Sequence, residues 1–198
     1  MNTITILYID DKPDLDLSKY FDCYAKENHL EYIEERFNSE IGYKRLLTSE
    51  KVEKSNIIFI DSKLFEDASV TKKFNGEELK LILKKFFPFI EIFIITQNKI
   101  EGIKVIHKYD SSKDGSDAEK YYKATLDDKI KEAIENIKEY KSISLKMKEN
   151  KEIPFEVTTL EQIYNSINGI HLYEELSKKD IDEIILQFKK IEKELIKK

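Results

Sequence analysis

The chain has 198 residues and a formal net charge of −5, with 39 acidic and 34 basic side chains. This length fits one domain, or one domain with an appendage. An acidic chain is poorly suited to nucleic acid, because phosphate binding needs a basic surface. Cys23 is the one cysteine, and no apolar run approaches the ~20 residues of a membrane span. We therefore expect a soluble cytoplasmic protein with neither a nucleic-acid nor a membrane partner.

The first predicted element is a buried strand over residues 4–9, a mostly apolar run that ends at Asp10 and Asp11. Pro13 follows, and we predict it to be the first residue of a helix, because the missing N–H of proline would be unsatisfied there anyway. Residues 31–34 alternate in polarity and are predicted to form an edge strand. This strand–helix–strand order is typical of a parallel sheet.

Two helices and three more strands are predicted in the next part of the chain. Residues 39–47 are predicted to form a short helix, and residues 77–86 an amphipathic helix that ends before Pro88. The strands are predicted from short apolar runs at 57–60, 91–96 and 104–109. Strands that alternate with helices indicate an α/β fold with a doubly wound, five-stranded parallel sheet.

Beyond about residue 125 the periodicity is helical. Five residues follow a four-three spacing: Leu126, Ile130, Ala133, Ile137 and Tyr140. This seam predicts a helix from Thr125 to about residue 147, with Thr125 and Asp128 as a capping box. We expect the first half of the seam to pack on the sheet and the overhang to form an interface.

Further helices are predicted after Pro154, which marks a break. Thr159 with Gln162 is predicted to cap a short helix that ends at Gly169, and Ser177 is predicted to begin the last helix. The pattern contains no further strand signal.

The predicted organisation is one domain over residues 1–140 and a helical C-terminal extension over residues 141–198. Within the extension, residues 152–198 carry 10 acidic and 7 basic side chains, whereas a DNA-recognition helix carries a basic excess. We therefore expect the extension to bind a protein partner or to self-associate.

Acidic side chains end two strands that right-handed crossovers place side by side. Asp10 and Asp11 end the first strand, and Asp61 ends the second buried strand. Three carboxylates in one pocket repel each other and need a cation, and ligands that are all oxygen favour Mg²⁺. Thr96 and Lys108 add a hydroxyl and an ammonium group at the ends of the next strands. Such a set is suited to accepting a phosphoryl group on a carboxylate.

The order of these motifs resembles the receiver domain of two-component response regulators. The shared pattern is strand-Asp-Asp-x-Pro, strand-Asp, a helix opened by Asn-Gly, strand-Thr and a strand with Lys. The similarity covers about residues 3–140 and is strongest over residues 6–15. The resemblance implies a flavodoxin-like fold and a role in signal transduction by phosphorelay.

The resemblance also implies a role for each matching residue. Asp61 would be the phosphoacceptor, and Mg²⁺ would be held by Asp10, Asp11, Asp61 and the backbone carbonyl of Lys63. Thr96 would be the switch hydroxyl, and Lys108 would contact the phosphoryl group. The phosphodonor would be a histidine kinase, a phosphotransfer protein or a small acyl phosphate. Because turnover would be limited to the protein's own aspartyl phosphate, we expect a signalling protein and not an enzyme.

The sequence departs from the receiver pattern next to these residues. The loop after Asp61, over residues 62–75, is longer than usual, and the 12 positions from Thr96 to Lys108 are too few for the usual intervening helix. Three single positions also differ: Gln97, Val105 and Tyr109 replace a small residue, an aromatic residue and a proline. The relay surface is therefore expected to differ from that of ordinary receivers.

Two other functions are compatible with the same residues. One is a pseudo-receiver, in which the acids are relics and the helices form a phosphorylation-independent interaction scaffold. The other is a metal-dependent phosphatase or nuclease, but Lys63 stands where such a site would place a second acid after Asp61.

Overall fold

Five strands form one parallel sheet in the computed structural model, which describes residues 3–37, 44–64, 75–98, 105–149 and 157–168. The strands are β1 (Thr5–Asp10), β2 (Glu31–Arg36), β3 (Ile57–Asp61), β4 (Glu91–Thr96) and β5 (Ile106–His107). Their order is β2-β1-β3-β4-β5, and every neighbouring pair is parallel. This is the flavodoxin-like order, so the predicted doubly wound α/β fold is confirmed.

Helices cover both faces of the sheet. They are α1 (Leu15–Glu27), α2 (Lys44–Leu47), α3 (Glu50–Lys54), α4 (Gly76–Phe86), α5 (Ala118–Glu149) and α6 (Val157–Ile167). Helices α1 and α5 pack on one face, and α2, α3 and α4 pack on the other. Residues 39–43 of the predicted 39–47 helix lie outside the described residues.

The two faces differ in composition because strand side chains alternate between them. The face under α1 and α5, here called the aromatic face, buries many rings, among them Tyr8, Tyr20, Phe21, Phe59 and Tyr122. The face under α2, α3 and α4, here called the aliphatic face, is formed mainly by leucine and isoleucine, among them Leu7, Ile9, Ile58, Ile60 and Leu79. Each face therefore contains a separate core.

Capping side chains set the starts of α1 and α4. The N-cap of α1 is Asp14, whose carboxylate accepts the Leu17 N–H at 2.9 Å. The helix therefore begins at Leu15, and the prediction that Pro13 is its first residue is wrong by two positions. In α4, Asn75 accepts the Glu78 N–H at 2.8 Å and the Glu78 carboxylate accepts the Asn75 N–H at 3.0 Å, which is a complete capping box.

Helix α5 begins at Ala118, so the predicted start at Thr125 is wrong. Asp117 precedes the helix and accepts the Lys120 N–H at 3.0 Å, as an N-cap does. Thr125 is in the helix interior, where its hydroxyl donates to the Tyr121 carbonyl at 2.9 Å. The buried seam is as predicted over its first part, because Leu126, Ile130, Ala133 and Ile137 are all buried.

Helix α6 packs against the distal part of α5. The Lys148 ammonium lies 4.2 Å from the centroid of the Tyr164 ring, and Ile167 at the end of α6 is buried. Thr159 lies inside α6, so the prediction that it caps the helix is wrong. The predicted features at Pro154, Gly169 and Ser177 lie outside the described residues.

The position of the proposed domain boundary, residue 140, falls within the uninterrupted α5. The division into residues 1–140 and 141–198 therefore stays a prediction. Within the described part of the chain, no helix has both the length and the apolar character that crossing a membrane requires.

Candidate functional site

The carboxyl ends of β1 and β3 bring three acidic residues together. The two strands are paired in register up to Ile9 and Ile60, so the next residues lie side by side at the edge of the sheet. One carboxylate oxygen from each of Asp10, Asp11 and Asp61 lies within 4.8 Å of the others. Asp10 and Asp61 are buried, while Asp11 is half-buried. The three acids predicted to converge therefore do so.

Lys108, directly after β5, extends its side chain to the same place. Its ammonium nitrogen Nζ lies 2.7 Å from Asp10 Oδ2 and 2.7 Å from Asp61 Oδ1. All three side chains are less than a tenth exposed, and the Lys108 backbone N–H donates to the Thr96 carbonyl at 2.8 Å. The structure thus places the buried ammonium group of Lys108 between the carboxylates of Asp10 and Asp61.

Tyr8 contacts this group of charges, although the sequence analysis did not assign it to the site. Its hydroxyl donates to Asp10 Oδ2 and accepts the Asp14 N–H at 3.4 Å. On the other side of the carboxylate, Asp10 Oδ1 accepts the Lys12 N–H at 2.9 Å. Because Tyr8 precedes Asp10 by two residues, the period of a strand puts both side chains on one face, and that signal was available in the sequence.

The remaining predicted site residues, Lys63 and Thr96, have other contacts. The Lys63 backbone N–H donates to Asp61 Oδ2 at 2.8 Å, so the residue fixes the orientation of that carboxylate. Thr96 is buried at the end of β4, and its hydroxyl accepts the Asn98 N–H at 3.1 Å. The roles of the Lys63 carbonyl and of the Thr96 hydroxyl stay predictions.

Backbone contacts hold the segment after β3 against the start of α4. The Gly76 N–H donates to the Ser62 carbonyl at 3.1 Å, and the Ser62 hydroxyl donates to Glu77 at 2.8 Å. A Cβ atom at position 76 would lie only 2.4 Å from the Asp61 carbonyl oxygen. Glycine is therefore required for this approach, and α4 directly supports the backbone of Asp61.

The environment shifts the pKa values of the charged groups. Burial raises the pKa of Asp61 against the opposing effect of Lys108, and the charge of Asp10 raises it further. Burial, with hydrogen bonding and charge from Asp10, also raises the pKa of Asp11. Burial alone would lower the pKa of Lys108, but the Asp61 and Asp10 carboxylates outweigh it and raise that pKa. The ammonium group is therefore retained, while the crowded carboxylates favour any added positive charge.

The donor set fits a hard divalent cation. Its ligand atoms are carboxylate oxygens that already lie within 4.8 Å of one another, and no imidazole or thiolate belongs to the cluster. Mg²⁺ and similar ions prefer such ligands. The residues that could hold the ion are Asp10, Asp11 and Asp61.

Tyr109, next to Lys108, joins this edge of the sheet to α5. Its backbone N–H donates to the Tyr122 hydroxyl at 3.0 Å, a bond that a proline at position 109 could not make. Gln97 is exposed, and Val105 packs in part against the aliphatic face. Residues 65–74 of the long loop and residues 99–104 lie outside the described residues.

Comparison with known proteins adds little to this geometry. No protein-family model matches the chain, and no curated protein matches it. A structure of the RcsB response regulator of Salmonella typhimurium, from work on conformational dynamism for DNA interaction, is 19% identical with a TM-score of 0.35. The match covers 50% of this chain and 44% of that one. The fold assignment therefore rests on the strand order and pairing described above.

Proposed function

We propose that this chain is a receiver-like signalling protein that accepts a phosphoryl group on Asp61 with the help of Mg²⁺. The observation that carries the proposal is the convergence of three carboxylates and one buried lysine at the carboxyl edge of a flavodoxin-like sheet. Ligands bind at this edge in open α/β sheets, next to the strand where the order reverses.

Each residue has a distinct part in the proposed reaction. Asp10, Asp11, Asp61 and the Lys63 carbonyl hold the Mg²⁺ ion, which when bound neutralises charge on the phosphoryl oxygens. A carboxylate oxygen of Asp61 forms a bond to phosphorus as the bond from phosphorus to the donor breaks, and the donor leaves with the electron pair. The Lys108 ammonium group moves to contact the phosphoryl oxygens, and the Thr96 hydroxyl donates a hydrogen bond to one of them.

The donor in this proposal is a histidine kinase, a phosphotransfer protein or a small acyl phosphate. All of them present a high-energy phosphoryl group, as formation of an acyl phosphate on Asp61 requires. The protein acts on no substrate other than its own aspartyl phosphate, so it is proposed to be a signalling protein and not an enzyme.

We propose that output passes through α5 to the helical extension, residues 141–198. Movement of Lys108 toward a phosphoryl group would pull on Tyr109, whose N–H is bonded to Tyr122 in the second turn of α5. The same two side chains pack in the aromatic face, at a ring separation of 6.5 Å. A protein partner, or a second copy of the chain, would then read the position of the extension.

Intact-mass measurement tests the proposal directly. The chain is incubated with acetyl phosphate and Mg²⁺, in parallel with Asp61→Asn. We expect one added phosphoryl group on the wild type and none on the variant. An unmodified wild type, or an equal adduct on Asp61→Asn, would contradict the proposal.

A phosphorylation-independent scaffold is the second candidate, and one observation favours it. Lys108 already pairs with Asp10 and Asp61, so the buried charges are partly balanced without a metal ion. Mg²⁺ distinguishes the two functions, because an ion that binds the folded state raises thermal stability by linkage. The receiver predicts a gain that Asp11→Asn abolishes, whereas the scaffold predicts no gain in either protein.

A further inference from the structure

Tyr8 is a buried polar residue that the proposed reaction does not use. Its side chain is fully buried on the aromatic face, with its ring centroid 5.8 Å from that of Phe21. Phenylalanine would pack there equally well, and an unpartnered hydroxyl would be costly in this core. The hydroxyl instead donates to Asp10 Oδ2 and accepts the Asp14 N–H.

Asp10 is held on both of its oxygens. Oδ2 accepts from the Tyr8 hydroxyl and from Lys108 Nζ at 2.7 Å, while Oδ1 accepts from the Lys12 N–H at 2.9 Å. Hydrogen bonds to a carboxylate disperse its negative charge and fix its orientation. A cation that binds this carboxylate therefore competes with donors built into the protein.

Asp11 is held differently. It is half-buried, so a cation can reach it from solvent, whereas Asp10 is buried and accepts hydrogen bonds from three protein donors. Asp10 and Asp11 thus differ in how easily each can bind a metal ion.

We propose that Tyr8 is a positioning residue. Its hydrogen bond keeps the Asp10 carboxylate in place and lowers the affinity of that carboxylate for Mg²⁺, and so sets the metal affinity of the site. The inference rests on the proposed function, because it concerns the same ion. Without the hydroxyl, the Lys12 N–H and Lys108 still hold Asp10, but Oδ2 regains negative charge. The site then binds the cation more tightly.

Calorimetric titration with Mg²⁺ tests the inference on the full chain. The variants are Tyr8→Phe and, as the matched control, Tyr20→Phe, which removes a phenol–carboxylate bond of 2.7 Å to Asp127 on the same face. We expect a Kd lower by roughly fivefold in Tyr8→Phe, as for loss of one competing hydrogen bond to a charged group. Tyr20→Phe should match the wild type. An unchanged or higher Kd in Tyr8→Phe overturns the inference.

The outcomes separate this inference from the proposed function. If the wild type and Tyr8→Phe bind Mg²⁺ with equal Kd, the inference about Tyr8 is overturned. The proposed function is not, because Asp61 can still be phosphorylated with Mg²⁺ bound. If neither protein binds Mg²⁺, both are overturned.

Asp10→Asn provides an independent check. In that background, Tyr8→Phe should no longer change the Kd, because the charged partner of the phenol is gone. A fivefold change there would show that the ring acts through packing, against the inference. Should Tyr8→Phe fail to fold, Asp10→Asn and Asp11→Asn decide: we expect the larger loss of affinity in Asp11→Asn, and the reverse order overturns the inference.

Discussion

The two faces of the sheet support the same edge by different means. On the aromatic face, hydroxyl and ammonium groups reach the acids: Tyr8 bonds to Asp10, and Lys108 pairs with Asp10 and Asp61. On the aliphatic face, support comes from the backbone, through the close approach of Gly76 to the Asp61 carbonyl.

The two faces therefore determine two features of the site, its charge and the position of its backbone. The aromatic face contains the polar atoms that decide how strongly the site attracts cations and protons. The aliphatic face fixes where the Asp61 backbone lies. Substitutions on the two faces should therefore disturb the site by different routes, through its charge on the aromatic face and through the position of the Asp61 backbone on the aliphatic face.

The largest effect is expected from Lys108→Met on the aromatic face. Removal of the ammonium leaves two buried carboxylates unpaired, so the free energy of unfolding in metal-free buffer should fall by about 3–5 kcal/mol. Urea denaturation measures it, and Mg²⁺ should restore part of the loss. Lys113→Met, which breaks an exposed pair with Asp110, is the control and should leave the stability almost unchanged.

Gly76→Ala tests the aliphatic face. The new Cβ would meet the Asp61 carbonyl oxygen at 2.4 Å, and relief of that overlap should cost about 1–3 kcal/mol and weaken Mg²⁺ binding. Gly115→Ala is a useful comparison, because its φ of +89° is strained for alanine but its Cβ meets nothing within 4 Å. That variant should lose about 1 kcal/mol with unchanged Mg²⁺ affinity. Equal Mg²⁺ affinity in both variants would refute backbone support by α4.

Tyr20→Phe probes the aromatic face away from the acids. It removes the hydrogen bond to Asp127, which ties α1 to α5, and should lower the free energy of unfolding by about 1 kcal/mol. Denaturant midpoints of the variant and the wild type measure the change. If the free energy of unfolding falls by several kcal/mol, the hydroxyl supports the packing of the neighbouring rings in addition to its one hydrogen bond.

The smallest effect is a change in pH dependence. Since the pKa of Asp61 is raised in the folded protein by burial, the folded state holds more protons than the unfolded state above about pH 4. The metal-free wild type should therefore lose stability as the pH rises through the folded pKa. Asp61→Asn lacks this contribution, so its stability relative to the wild type should increase over the same window. A series of thermal melts across this pH range measures the difference in stability between Asp61→Asn and the wild type. A difference that does not change with pH would contradict the raised pKa of Asp61.

The sequence predicted the sheet well because buried parallel strands are continuous apolar runs that end abruptly at polar residues. Asp10, Asp11 and Asp61 were found for the same reason. The start of α5 was missed because the four-three seam begins at Leu126, more than two turns after the true cap at Asp117.

The contacts of single polar atoms were harder to predict. The position of Lys108 at a strand end was predicted, but its simultaneous pairing with Asp10 and Asp61 depends on the packing of three strands. The bond from Tyr8 to Asp10 likewise follows from tertiary placement of a hydroxyl, since periodicity gives the face of a side chain but not the partner of its terminal atom.

The length of α5 has a mechanical consequence. Its 32 residues span about 48 Å, and its second turn is bonded through Tyr122 to the residue after Lys108. A rigid rod of that length acts as a lever, so a tilt of about 5° near its start displaces its far end by roughly 4 Å. An adjustment of less than one ångström beside Asp61 would then be magnified severalfold at α6.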